Sequence, residues 1–241
     1  MTQEKIRLHI DQPLAAGQAL ALSEGQANYL FAVMRLSLGA TLAVFNGRDG
    51  VWRARVEAAG KRAGILRAEQ QIAPQIVPPD LWLIFAPLKK ARTDFLVEKA
   101  VELGVRRLVP VQTRFTNAER LRADKARAHA VEAAEQCGAC FVPEVAELQP
   151  LDRLLANWPA DRRILWGDEA LAGVATVLAD APRGPWAILI GPEGGFSDEE
   201  RARLRAHPQV LPASLGPRVL RAETAALAAI TLWQASLGDW V

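Results

Sequence analysis

Hydrophobic positions along the 241 residues fall into two regimes. In the first, apolar runs are short, alternate with polar residues and end at turn residues. The runs 20–22, 41–45, 51–56 and 64–68 read as strands. The turn dipeptides Asn46-Gly47 and Asp49-Gly50 separate two of them. One helical stretch, 28–35, interrupts the series. The segment 70–80 holds Pro74, Pro78 and Pro79 and reads as a linker. In the second regime, apolar runs at 81–86, 107–111, 164–166, 187–190 and 210–215 alternate with helical stretches at 92–103, 118–137, 169–180, 198–206 and 222–236. That alternation predicts an α/β domain with a mainly parallel sheet over 73–241, behind a small β-barrel over 1–72.

Two turns in the second regime point to a ligand. At the first, the apolar run 187–190 breaks at Gly191-Pro192, and Gly194-Gly195 permits positive φ and close backbone approach. Ser197 followed by Glu200 has the spacing of a capping box, so a helix starts there. Strand, glycine loop and helix N-terminus together leave free amides for polar ligand groups. At the second, Gly216-Pro217 precedes Arg218, Arg221, Glu223 and a helix that is apolar nearly all round, which predicts burial against the sheet and either another helix or a partner subunit. Two such turns, a strand and a helix apart, can enclose one nucleotide-type cofactor. The spacing excludes G-x-G-x-x-G, and no Gly-Lys-Ser/Thr triplet occurs, so the cofactor is not expected to be held by its phosphates.

The stretches LIGPEGGFSDEE (189–200) and LGPRVLRAETAALAAI (215–230) resemble the ribosomal RNA small subunit methyltransferase E family, of the SPOUT superfamily. Further blocks agree in the same order: 29–36 and 39–47, Lys89-Lys90 with Asp94, 98–105, and 135–137. The resemblance implies a trefoil-knotted SPOUT domain, a PUA-like RNA-binding barrel before it, and a homodimer. It implies an enzyme that uses S-adenosylmethionine to methylate N3 of a specific uridine in 16S ribosomal RNA. Other readings are a non-catalytic RNA-binding protein that keeps the knot fold, and a SPOUT methyltransferase acting on tRNA. The family usually carries arginine where this chain has Ala139, and often histidine where it has Asn28.

The implied chemistry assigns roles. Uridine N3 must lose its proton before it can attack a methyl group, and a fixed cation beside the flanking carbonyls stabilises the anion. Arginine stays charged and offers a planar fork. Arg221 is the first candidate and Arg218 the second. Glu223 either orients an arginine, accepts a proton or stabilises the helix start. By resemblance, Gly191, Glu193, Gly194, Gly195, Leu215, Gly216 and Leu220 line the cofactor, with Leu165 from the end of its strand as a further wall.

Charge agrees with an RNA partner. The net charge is +2, yet 89–129 holds eleven basic and five acidic residues. A basic stretch within a near-neutral chain suits a face that meets phosphates. Arg35, Arg48, Arg53, Lys89, Lys90, Arg92 and Arg114 are the expected contacts. Two cysteines make no disulfide framework; Cys137-x-x-Cys140 invites a metal or redox reading, but His129 is its only nearby third ligand and a thioredoxin-like context is missing, and His9, His129 and His207 show no metal spacing, so no metal is expected. No signal pattern and no run of 18 apolar residues occurs, which gives a cytoplasmic expectation with no membrane partner.

Overall fold

The computed structural model describes residues 4–117, 121–168 and 173–240. Its contacts divide the chain into two compact units, Met1–Val77 with Ala134–Val142, and Pro78–Ala133 with Pro143–Val241.

The first unit is built on β1 (Arg7–His9), β2 (Ala19–Ala21), β3 (Thr41–Phe45), β4 (Val51–Ala59) and β5 (Gly64–Ala73). The sheet order is β1-β3-β4-β5-β2, antiparallel except for β1 on β3. Alternation fixes the faces: Ala54 and Val56 point into a core with Leu20, Leu30, Leu42 and Leu66, while Arg55 points out. A side chain three residues past β1 reaches β2 at the other end of the sheet. The Gln12 carboxamide donates to the carbonyl of Ala21 at 2.7 Å and accepts from its N–H at 3.1 Å, as a neighbouring strand would.

The sequence reading differs here in three places. β1 was not expected, because a three-residue strand is too short to show alternation. β5 continues to Ala73, through the first part of the expected linker, because Ala73 pairs with Val51 next to the Gly50 turn. The expected helix begins early. A capping box of Ser23 and Gln26 starts α1 (Glu24–Ala27), which passes into a π-helical turn, Asn28–Val33, that ends before Arg35. Arg35 itself sits at φ 56°.

The second unit runs β6 (Leu81–Phe85), α2 (Lys90–Glu102), β7 (Arg107–Gln112), α3 (Ala123–Cys137, whose last turn falls in the first unit), β8 (Glu144–Val145), β9 (Gln149–Pro150), α4 (Leu151–Ala156), β10 (Arg163–Gly167), α5 (Val174–Ala179), β11 (Trp186–Ile190), α6 (Asp198–Ala206), β12 (Val210–Ala213) and α7 (Ala222–Leu237). Every strand pair is parallel, in the order β12-β10-β11-β6-β7-β8, with β9 also on β7. A parallel sheet is covered on both faces, so its central strands carry continuous apolar runs; all five residues of β11 are buried. One face packs Ile84, Val109, Trp166 and Leu189 against Leu151 and Leu155 of α4, Phe196 of the turn before α6, and Leu204 of α6. On the other, α7 lies against β11, α2 and α5, and buries Ala226, Ala229, Ile230 and Trp233.

At the opening edge of the sheet, buried Arg162 donates to the carbonyls of Asp80 and Trp186 and pairs with Asp80 at 2.7 Å, its guanidinium 3.7 Å from the Trp82 ring centre. It joins the starts of β6 and β11. The elements β8, β9 and α4 were not expected: two two-residue strands and a six-residue helix lie below what periodicity resolves. The expected helices 118–137 and 169–180 begin later, at Ala123 and Val174; residues 118–120 and 169–172 of those readings lie outside the described residues.

Candidate active site

Neighbouring parallel strands bring their carboxyl ends together, and in α/β sheets ligands bind there. Here β12, β10 and β11 are adjacent, so the turns that follow them meet around a cavity of about 380 Å³.

The turn after β11 is shaped by its own packing. Gly195 lies at φ 71° and donates its N–H to the Pro192 carbonyl at 2.9 Å. Phe196 folds under the turn and meets Trp166 edge-on at 5.9 Å. Gly191 is required by that ring, since a β-carbon there would lie 2.7 Å from it. Ser197 and Glu200 form the expected capping box, and the second Glu200 oxygen accepts the Arg114 N–H at 2.8 Å.

The turn after β12 is open. Gly216 sits at φ 109°, with nothing within 4 Å of where a β-carbon would stand, and the Ser214 hydroxyl accepts its N–H at 3.2 Å. Arg221 is the N-cap of α7 and its side chain makes no capping bond. Among the described residues, Arg218 and Arg221 have no carboxylate within 4.0 Å, and both line the cavity.

Of the residues expected at the cofactor, Gly191, Glu193, Gly195, Leu215, Gly216 and Leu220 line the cavity. Two do not. Leu165 is 1% exposed within β10 and packs in the sheet, while the next residues, Gly167 and Asp168, reach the cavity. Gly194 turns toward Phe115 instead, with a β-carbon position 3.1 Å from the Phe115 Cβ.

Glu223 is just outside the lining but tied to it. Its Oε1 lies 3.6 Å from Nε of Arg92, and Arg92 also pairs with Glu193. The other Glu223 oxygen is buried with no hydrogen-bond partner. Arg92, expected among the phosphate contacts, is thus in the cavity wall between two carboxylates. The remaining basic candidates lie elsewhere. Lys89 and Lys90 are exposed at the start of α2, and Arg114 is exposed after β7. In the first unit Arg35 is exposed, Arg48 donates to the Asp11 carbonyl and Arg53 pairs with Glu4 at 2.9 Å.

The sequence reading missed a buried charge cluster at the cavity. The Asp168 side chain, 2% exposed, takes Arg205 at 3.0 Å and Arg201 at 3.3 Å. Arg201 and Arg205 are four residues apart on α6 and so share a face. An acid directly after a buried strand, at the edge where ligands bind, was the available signal.

Comparison with known proteins accords with this geometry. The RNA methyltransferase domain family matches residues 77–234, and the RNA methyltransferase PUA domain family matches residues 22–69. A relative from Rickettsia conorii, called ribosomal RNA small subunit methyltransferase E, is 28% identical over 93% of this chain and 93% of its own length. A solved ribosomal RNA small subunit methyltransferase E from Neisseria gonorrhoeae, bound to S-adenosyl methionine, aligns at TM-score 0.87 with 24% identity, covering 98% of this chain and 99% of that one. A protein of Legionella pneumophila solved with bound SAM aligns at TM-score 0.83 with 30% identity, covering 97% and 98%.

Proposed function

The chain belongs to the RNA methyltransferase domain family, and we propose that it transfers a methyl group from S-adenosylmethionine to N3 of a uridine in the 16S RNA of the small ribosomal subunit. The observation that carries the reading is the cavity at the carboxyl ends of β10, β11 and β12, with two arginines on its wall that have no carboxylate within 4.0 Å among the described residues.

The cavity suits the cofactor chemically. Ile190, Leu215 and Leu220 offer apolar walls for a purine, the open backbone at Gly216 offers amide and carbonyl groups, and Glu193 offers an acceptor for hydroxyl or ammonium groups. When bound, S-adenosylmethionine supplies an electrophilic methyl group on a positively charged sulfur. The chain must supply the rest. Arg221, with Arg218 beside it, stabilises the negative charge that spreads over the uracil carbonyls as N3 loses its proton. Glu223 holds Arg92 in the wall and acts by positioning it, since its unpartnered oxygen is buried outside the cavity lining.

The same reading includes the trefoil knot and a homodimer. Leu232 of α7 remains 39% exposed, an apolar position for a partner subunit. It includes Lys89, Lys90 and Arg114, with Arg35, Arg48 and Arg53 of the first unit, as contacts to RNA phosphates. Calorimetric titration with S-adenosylmethionine tests the cofactor half. A single saturable site per chain supports it, and the absence of saturable heat overturns it.

A further inference from the structure

A second concavity in the same unit has no part in the chemistry described above. It is a groove of about 630 Å³ between the start of α2 and the first half of α3. Its floor is apolar, from Pro87, Leu88, Leu121 and Ala126. Its rim is cationic: Lys89 and Lys90 from α2, Arg122 and Lys125 from α3, all exposed.

Among the described residues, Asp94 lines the groove and Asp124 stands beside it, and both are engaged. Asp94 lies 3.5 Å from His129, which also lines the groove. Asp124 pairs with Arg122 at 2.5 Å. The Thr93 hydroxyl is occupied by the backbone of Leu88, donating to its carbonyl at 3.0 Å and accepting its N–H at 2.9 Å. Among the described residues Lys89, Lys90 and Lys125 have no carboxylate within 4.0 Å. Three such ammonium groups over an apolar floor make a site for a polyanion with apolar faces, and a nucleic-acid strand has both.

The groove and the candidate active site draw on the same turn of α2. Arg92 lines the first cavity, while Lys89, Lys90 and Thr93 line the groove. One turn of helix spans about 5.4 Å, so a strand in the groove passes within a nucleotide or two of the cavity.

We infer that this groove holds the sugar-phosphate backbone flanking the target nucleotide, with Lys125 and Arg122 of α3 as RNA contacts alongside Lys89 and Lys90. The inference rests on the proposed RNA substrate but not on which base is methylated.

The test is fluorescence anisotropy with a labelled single-stranded oligoribonucleotide across a series of KCl concentrations, for the wild type, for K90A/K125A and for the charge-matched control R153A/R183A. Loss of two phosphate contacts lowers affinity by about tenfold and flattens the log K against log salt line by about 1.4. The control keeps the wild-type slope, and K90A/K125A keeps its S-adenosylmethionine affinity within about twofold, which shows an intact fold. An unchanged slope in K90A/K125A, an equal loss in the control, or a wild type that binds no RNA overturns the groove. Failure of methyl transfer with a groove-dependent salt slope overturns the proposed reaction and leaves the groove standing.

Discussion

The guanidinium of Arg92 in α2 lies 3.6 Å from the carboxylate of Glu223 in α7. With Glu193 on its other side, Arg92 ties the glycine turn after β11 to the helix that carries the candidate catalytic arginines. Glu223 is 13% exposed, with its second oxygen unpartnered, so it depends on Arg92 for compensation. Arg92→Ala therefore leaves a mostly buried carboxylate alone and costs about 2 kcal/mol of stability. Arg92→Ala with Glu223→Gln recovers part of that loss, because the stranded charge is gone. Chemical denaturation of the two variants and the wild type measures it. Equal stability of Arg92→Ala and wild type would show the contact to be inconsequential.

Gly194 tests whether the turn acts on the cofactor directly or through its neighbour. The β-carbon position there lies 3.1 Å from the Phe115 Cβ, a distance at which the neighbour must give way. Gly194→Val is expected to weaken S-adenosylmethionine binding by displacing the turn, and Phe115→Gly in the same chain, which removes that Cβ, restores most of the affinity. Phe115→Gly alone stays within about twofold of wild type. If the double variant binds as poorly as Gly194→Val alone, the glycine is needed for ligand approach instead.

The first unit has a pH-sensitive turn. The Asp49 carboxylate accepts the Leu14 N–H at 2.9 Å and the Asn46 amide at 2.6 Å, and these bonds, Leu14 first, hold its pKa below the ordinary carboxyl value. A depressed folded-state pKa gives stability that is present above the unfolded pKa of about 3.9 and lost as pH falls through the folded value. Wild type is expected to exceed Asp49→Ala by about 1 kcal/mol near pH 7, given solvent screening, with the gap closing below about pH 4. Thermal unfolding of both proteins across that range checks this. A gap that is constant with pH would assign the stability to packing.

Much of this was legible in the sequence where the signals were local. The strand–turn–helix at 187–200 was readable because buried strand, Gly-Pro break and capping box sit in consecutive residues, and Ser197 and Glu200 pair as their spacing implies. The grouping of Gly191, Glu193, Gly216 and Arg221 in one cavity follows from parallel strands ending at a common edge. What the sequence hid depends on contacts between distant residues. The Asp168 pairs with Arg201 and Arg205, 33 and 37 residues away, leave no periodic trace. A glycine's reason is also invisible in one dimension. Gly191 and Gly194 looked alike as ligand glycines, yet Phe196 crowds the first and Phe115 the second.

The most direct test of the central claim is methyl transfer to a defined atom. Small ribosomal subunits from a strain lacking this activity are incubated with methyl-labelled S-adenosylmethionine and the purified chain, and the RNA is digested to nucleosides and separated. The account predicts label in 3-methyluridine, with Arg221→Ala slower by about a hundredfold at unchanged cofactor affinity. Label in a different nucleoside, no label, or a cofactor affinity that falls in step with the rate in Arg221→Ala would contradict it.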